Sequence, residues 1–235
     1  MRLAAVADIH IKAEDYEADV SRFSAVNEMA DLIVIAGDLT NHGRKDEMRA
    51  CLNVLEHIHI PVVAVLGNHD YESGEQDELA GMLRIAGVHV LDGNCFEMDN
   101  IGLAGTKGFC GGFAPYELMP FGEGGIKNFV EIAEREATKL NYGLAQLNTP
   151  VKIAVTHYAP IKDTIIGEPE PIFPFLGSSR LERVLERHSP TLALHGHAHK
   201  GSFSGETNSK TRVCNVALQI LQRRGEQHPF TIFEF

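Results

Sequence analysis

The sequence predicts an α/β protein, and three observations lead there. Short apolar runs alternate along the chain with segments whose apolar residues recur at helical spacing. Five runs, at residues 3–7, 32–36, 62–66, 151–155 and 192–194, are nearly continuous in Val, Ile, Leu and Ala, as in strands buried on both faces. Each is followed by a small cluster drawn from Asp, His, Asn and Gly. Ligands in open α/β sheets gather beyond the carboxyl ends of the strands, so the clusters should converge on one edge.

The elements follow in order. After the strand at 3–7, residues 15–30 place Val20, Phe23, Val26, Met29 and Ala30 at helical spacing. Beyond the strand at 32–36, a helix is expected over about 45–57, with Met48, Cys51, Leu52 and Leu55 on one face and Pro61 stopping it. The strand at 62–66 leads to a helix near 75–86 that presents Leu79, Met82, Leu83 and Ala86 and ends at Gly87. Short strands are expected at 88–91 and 101–104, then a longer helix over 126–147 before the strand at 151–155. Ser179-Arg180-Leu181-Glu182 reads as a capping box that opens a helix ending before Pro190. After the strand at 192–194, residues 213–220 and 230–235 read as closing strands. The Met and Leu stripes are assigned to the core, and no internal repeat is visible.

The polar clusters are Asp8-Ile9-His10, Gly37-Asp38, Gly67-Asn68-His69-Asp70, His157 and Gly196-His197-Ala198-His199. Asp8, His10, Asp38, Asn68, His157, His197 and His199 offer imidazole nitrogen, carboxylate oxygen and one amide oxygen. No cysteine stands among them, which argues against a thiolate-rich structural zinc site. Seven donors exceed the needs of one tetrahedral ion and suit two ions sharing a carboxylate. Singly, each cluster has an ordinary reading. Asp8 and Asp38 could cap helices, Gly67-Asn68 could form a turn, and His157 alone could be a hydrogen-bonded structural histidine. Three closely spaced imidazoles at 195, 197 and 199 are harder to bury unligated. Five clusters at five strand ends favour the shared metal site.

In this order the clusters resemble the signature of the calcineurin-like metallophosphoesterase superfamily: Asp-x-His, Gly-Asp, Gly-Asn-His-Asp/Glu, His, Gly-His-x-His. The resemblance runs from Asp8 to His199. It implies a four-layer α/β/β/α sandwich of two mixed sheets, helices outside and metals at the C-terminal strand ends. Residues 213–220 and 230–235 would join the second sheet. Asp8, His10 and His199 would hold one ion, Asn68, His157 and His197 the other, and Asp38 would bridge both. His69 would act on the phosphate, stabilising charge or protonating the leaving oxygen, with Asp70 orienting its imidazole. The nucleophile implied is a hydroxide held by the two metals. Mixed N/O donors suit Mn, Fe, Zn or Co, and Mn or Fe is expected.

The substrate expected is a small-molecule phosphoester, a diester ahead of a monoester. Protein phosphatases of the superfamily continue Gly-Asp with Asp-Arg-Gly, whereas here Asn41 and His42 take those places and Asp70 replaces the usual Glu. Gly37-Asp38-Leu39-Thr40 looks more like the branch of cyclic-nucleotide and glycerophosphodiester phosphodiesterases. His42 is either a phosphate contact or a loop histidine, and His195 either supports a ligand or fills space. A DNA-processing nuclease and a non-catalytic binding protein on the same fold are the alternatives.

The whole chain sets the remaining bounds. The motifs interleave across all 235 residues and need one framework, so one domain over 1–235 is expected. The net charge of −11 disfavours long nucleic acid as a partner. No run approaches the roughly 18 apolar residues of a membrane span. The first strand must supply Asp8, so no removable signal is expected. Four scattered cysteines point to reduced thiols and a cytoplasmic location. Residues 105–113 and 159–177 are the candidate substrate-facing loops, with a lid over the metals favoured for the second.

Overall fold

The computed structural model describes residues 1–14 and 16–235. Its first half runs β1 (Arg2–Val6), α1 (Glu17–Phe23), α2 (Val26–Met29), β2 (Leu32–Ala36), α3 (Lys45–Leu55), β3 (Val62–Val65), α4 (Gln76–Ile85), β4 (His89–Val90), β5 (Cys95–Met98) and β6 (Ile101–Thr106). Then follow α5 (Gly124–Gln146), β7 (Val151–Thr156), α6 (Phe173–Leu176), α7 (Ser179–His188), β8 (Leu192–His195), β9 (Ser204–Glu206), β10 (Arg212–Asn215), α8 (Leu218–Arg223) and β11 (Thr231–Glu234). The strands make two mixed sheets, in the orders β11-β1-β2-β3-β4 and β5-β6-β7-β8-β10-β9. The strands carrying the clusters, β1, β2 and β3 in one sheet and β7 and β8 in the other, pair in parallel. Their carboxyl ends therefore share an edge within each sheet.

Period-two alternation explains why these strands are apolar throughout. In β1 to β3, Leu3, Leu32, Val34 and Val63 face the second sheet and meet Leu103, Ile153 and Leu194. Ala4, Val6, Ile33 and Ile35 face the other way, onto Met48, Val54, Leu79 and Leu83 of α3 and α4. The second sheet repeats this outside, where Ala104, Ala154 and Ala193 pack beneath Leu140 and Leu144 of α5 and Leu181 and Leu185 of α7. The result is the expected four-layer order, helix, sheet, sheet, helix.

Several expected elements differ. The helix expected over 15–30 is two pieces, α1 and α2; Asp15 lies outside the described residues. Ser24 caps α1 and its hydroxyl donates to the Ser21 carbonyl at 3.1 Å, a local bond that competes with helix continuation. The strand expected over 213–220 stops at Asn215, whose side-chain oxygen accepts from the Ala217 amide at 3.1 Å. The chain then turns into α8, which buries Leu218 and Leu221 against the first sheet. The last strand, expected in the second sheet, lies in the first: β11 pairs antiparallel with β1, Leu3 opposite Phe233. The cap of α7 is Ser178, whose hydroxyl accepts from the Arg180 amide, and Ser179 donates instead to Glu182.

Leu103 is fully buried between the sheets. Leu103→Ala should cost about 3 kcal/mol of stability through lost burial and a residual cavity. Urea unfolding checks this, and a loss below about 1 kcal/mol would contradict its place in the inter-sheet core.

Candidate metal centre

The five clusters meet where the two sheet edges face each other. Asp8, His10, Asp38 and His197 hold φ of 59°, 45°, 53° and 68°. Left-handed backbone is unfavourable for residues with a Cβ, by about 1–2 kcal/mol each, and concentrates at functional sites. Tight turns after the strands thus aim these side chains inward, and the motif glycines leave room for them. A Cβ on Gly67 would collide with Asp38 Oδ1, and one on Gly196 with Asp8 Oδ2. The glycines of the third and fifth motifs are there because carboxylates press on their backbone.

Three donor groups result, each with ligand atoms within 4.8 Å of one another: Asp8, His10 and His199; Asp38, His157 and His197; and His10, Asp38 and His69. His10 Nε2 stands between both carboxylates, 4.0 Å from Asp8 Oδ1 and 3.8 Å from Asp38 Oδ2. His199 Nε2 lies 2.9 Å from Asp8 Oδ1, and His157 Nε2 lies 3.3 Å from Asp38 Oδ2 and 2.9 Å from Asn68 Oδ1. His157 Nδ1 donates to the Ala36 carbonyl at 3.0 Å, which leaves Nε2 as the nitrogen facing the site. His197 Nε2 donates to the Phe175 carbonyl at 3.2 Å, leaving Nδ1 free.

A metal fits this arrangement. Both ring nitrogens of His10 and Asp38 Oδ2 are buried with no hydrogen-bond partner among the described residues. Such groups are costly to bury unless something binds them. Among the described residues, Asp8 and Asp38 are the carboxylates of these groups, and the remaining donors are imidazoles with the Asn68 amide beside them. Without an ion, protons do part of the work. Burial alone would raise the Asp38 carboxyl, but the His157 imidazole beside it brings it below the usual carboxylate range. Burial would lower His157, yet Asp38 outweighs it and pushes the imidazole up to about 9. Burial, with the charge on His157, pushes His197 down to about 3.

Asp70 corrects an expectation. It does not orient His69; its carboxylate accepts from the amides of Leu39, Thr40 and Gly67 and from the Thr40 hydroxyl at 2.6–3.2 Å. Burial and the neighbouring Asp38 charge push it up to about 6. It ties the loop after β2 to the loop after β3, which explains Thr40 in the second motif. His69 is oriented instead by the Asn41 carbonyl, which accepts from its Nδ1 at 2.7 Å and turns Nε2 toward the site. His42 pairs with Glu72 at 3.1 Å.

Other supports surround the fifth cluster: His195, which the sequence left open between support and filler, and Asn215 and Arg223, which it missed. His195 is fully buried, bonded to Gly196 O and Thr164 Oγ1 at 2.8 and 2.7 Å, and burial pushes it down to about 4. It braces the fifth cluster as a neutral ring. Asn215 Nδ2 donates to the Ala198 carbonyl at 2.8 Å, and Arg223 donates to the His199 carbonyl at 2.6 Å. Most of these bonds end on backbone atoms, which carry no residue signature. Of the two expected loops, residues 105–106 belong to β6, and residues 159–177 reach the centre through Phe175.

A model of the family described as calcineurin-like phosphoesterase matches residues 1–201. Over 82 residues the chain is 30% identical to the glycerophosphodiester phosphodiesterase GpdQ of Enterobacter lignolyticus, a match covering 30% of each chain. The match thus spans under a third of that relative's length. Among solved structures, the chain resembles the phosphopantetheinyl hydrolase PptH of Mycobacterium tuberculosis with a TM-score of 0.70 and 17% identity, over 98% of this chain and 95% of that one. It resembles a Thermus thermophilus protein with a TM-score of 0.58 and 15% identity, over 99% and 98% of the two chains. At such identities these likenesses concern the fold.

Coordination needs neutral imidazole, and below its raised value of about 9 His157 holds a proton in the ion-free protein. Binding of Mn²⁺ at pH 7 should therefore release about one proton or more, and affinity should fall as the pH is lowered. Calorimetry in two buffers of different ionisation enthalpy measures this. Binding without proton release would contradict the His157–Asp38 pairing.

Proposed function

The chain belongs to the calcineurin-like phosphoesterase family, and from that premise we propose that it is a metal-dependent hydrolase of a small-molecule phosphoester, cleaving a diester in preference to a monoester. The observation that carries this reading is the convergence of seven N/O donors around buried atoms that lack a hydrogen-bond partner among the described residues. Asp8, His10 and His199 would hold one ion, Asn68, His157 and His197 a second, with Asp38 shared. Mn or Fe is the metal we favour, and Zn or Co suits the same donors. Two such ions, when bound, lower the pKa of water and draw charge from phosphate oxygens.

The chain's own residues do the rest. Asp8 and Asp38 are held desolvated and in register by the glycine-bearing turns. Asp70 locks the loop carrying Asp38 against the loop carrying Asn68 and His69. His69, tied through Nδ1 to Asn41, presents Nε2 to the phosphate and is our candidate to steady developing charge or pass a proton to the leaving oxygen. The carboxylate of Asp70 is a positioning group for the loops.

The preference for a diester rests on Asn41 and His42 standing where protein phosphatases carry Asp-Arg, and on the segment shared with a glycerophosphodiester phosphodiesterase. The net charge of −11 supports a small molecule over long nucleic acid. All four cysteines are free, which suits a reducing cytoplasm. Among the described residues no helix is long and apolar enough to cross a membrane. We read residues 1–235 as one functional domain because both sheets supply donors.

Protein stripped of metal and reloaded with Mn²⁺ should hydrolyse bis(4-nitrophenyl) phosphate faster than 4-nitrophenyl phosphate. The reverse order would overturn the diester preference, and silence on both with metal bound would overturn the hydrolase reading. His69→Ala should keep its metal and lose turnover by about 10²–10⁴-fold on alkyl esters, less on esters whose leaving group needs no proton. Loss of metal in that variant, measured by elemental analysis, would make His69 a ligand.

A further inference from the structure

Beside the metal centre lies an apolar groove that none of the motifs accounts for. It has a volume of about 430 Å³, within the range of small-molecule sites, and Tyr116, Leu118, Ile126, Phe129, Pro174 and Phe175 line it. Of the lining, Tyr116 is 88% and Phe175 60% exposed, and Met119 and Phe121, just beyond Leu118 in the chain, are 63% and 86% exposed. Clustered exposure of this kind marks a binding surface more often than a scattered hydrophobic residue does.

The groove is built by ordered contacts. Gly111 N donates to Pro174 O at 2.9 Å and Leu118 N to Gly111 O at 2.8 Å, which knits the loop after β6 to the loop after β7. Arg180 of α7 donates to the Leu118 carbonyl at 2.9 Å, and Arg183 grips the Glu117 carboxylate with two bonds at 2.5 and 3.0 Å. Glu117, the charged residue of the lining, is paired with Arg183 and lies 3.3 Å from Arg180 Nη1. The described residues that line the groove include no Lys or Arg to receive a polyphosphate or other highly charged substituent.

The groove adjoins the metal centre through Phe175. Phe175 lines the groove, and its carbonyl accepts from His197 Nε2 at 3.2 Å. An ester whose phosphorus sits among the metal donors would run its substituent past Phe175 into the groove. The geometry points to a substrate that is amphiphilic: a phosphoester carrying an uncharged apolar chain, which lies along Leu118, Phe129 and Phe175. This specificity rests on the phosphoesterase reading, which it narrows.

The test separates the two. Mn²⁺-loaded full-length chain is titrated by calorimetry with methyl-, butyl- and octylphosphonate below micellar concentrations. It is assayed in parallel on the matching alkyl 4-nitrophenyl phosphate diesters. Binding should tighten about twofold to fourfold per added methylene, and kcat/KM should rise in step. In the double variant Tyr116→Ser, Ile126→Ser, the dependence on chain length should flatten; neither side chain is fully buried, so the fold should tolerate both changes. A flat series in wild type, with the methyl ester still cleaved, would overturn the groove assignment and leave the hydrolase standing. Chain-length-dependent binding without cleavage of any ester would support the groove and sink the hydrolase reading. An undiminished dependence in the double variant would place the chain elsewhere and overturn the groove assignment. A wild-type dimer in sedimentation that Tyr116→Ser disperses would assign the groove to a second copy and overturn the proposal.

Discussion

Two carboxylates, Asp8 and Asp38, are buried at the junction of two sheets, each within about 4 Å of the same imidazole nitrogen of His10. Burying like charges this close is unfavourable unless positive charge compensates them. Much of the surrounding architecture follows from that requirement. Imidazoles come from both sheets, four site residues accept left-handed backbone, and Gly67 and Gly196 stand where a Cβ would strike a carboxylate. Asp38 Oδ2 and His10 Nε2, which lack a hydrogen-bond partner among the described residues, are the atoms a cation would engage.

The fold tolerates this constraint by spreading it over rigid elements. Parallel strands buried on both faces fix the starting points of the clusters, and their shared edge sets the direction of every turn. Asp70, itself buried, converts that rigidity into register by binding the loops after β2 and β3 to one another. His195, Asn215 and Arg223 do the same for the last cluster. The loops beyond carry the apolar groove, so the polar centre and the surface that would select an ester's substituent are joined at Phe175.

The residues of the candidate centre are legible in the sequence because each one follows a strand whose apolar run is unmistakable. The helices α3, α4, α5 and α7 are legible for the same reason, their apolar faces keeping a helical period. The role of Asp70 is not, since its partners are mainly backbone amides brought near by folding. Residues 213–220 mislead because a short apolar run fits either period, and only the Asn215 turn and the burial of Leu218 and Leu221 decide for a helix. The sheet that receives β11 depends on a free edge at β1, which is a property of the assembled layers. The edge strands β5 and β9 are short and partly exposed and leave little apolar signal.

Two ions sharing Asp38 are the proposal on which the chemistry depends. Electron paramagnetic resonance of the Mn²⁺-loaded chain, with the metal content counted in the same sample, addresses this most directly. Two equivalents of manganese with a spin-coupled spectrum, reverting to isolated ions in Asp38→Ala, is the predicted result. A single equivalent with an uncoupled spectrum in the wild-type chain would contradict it.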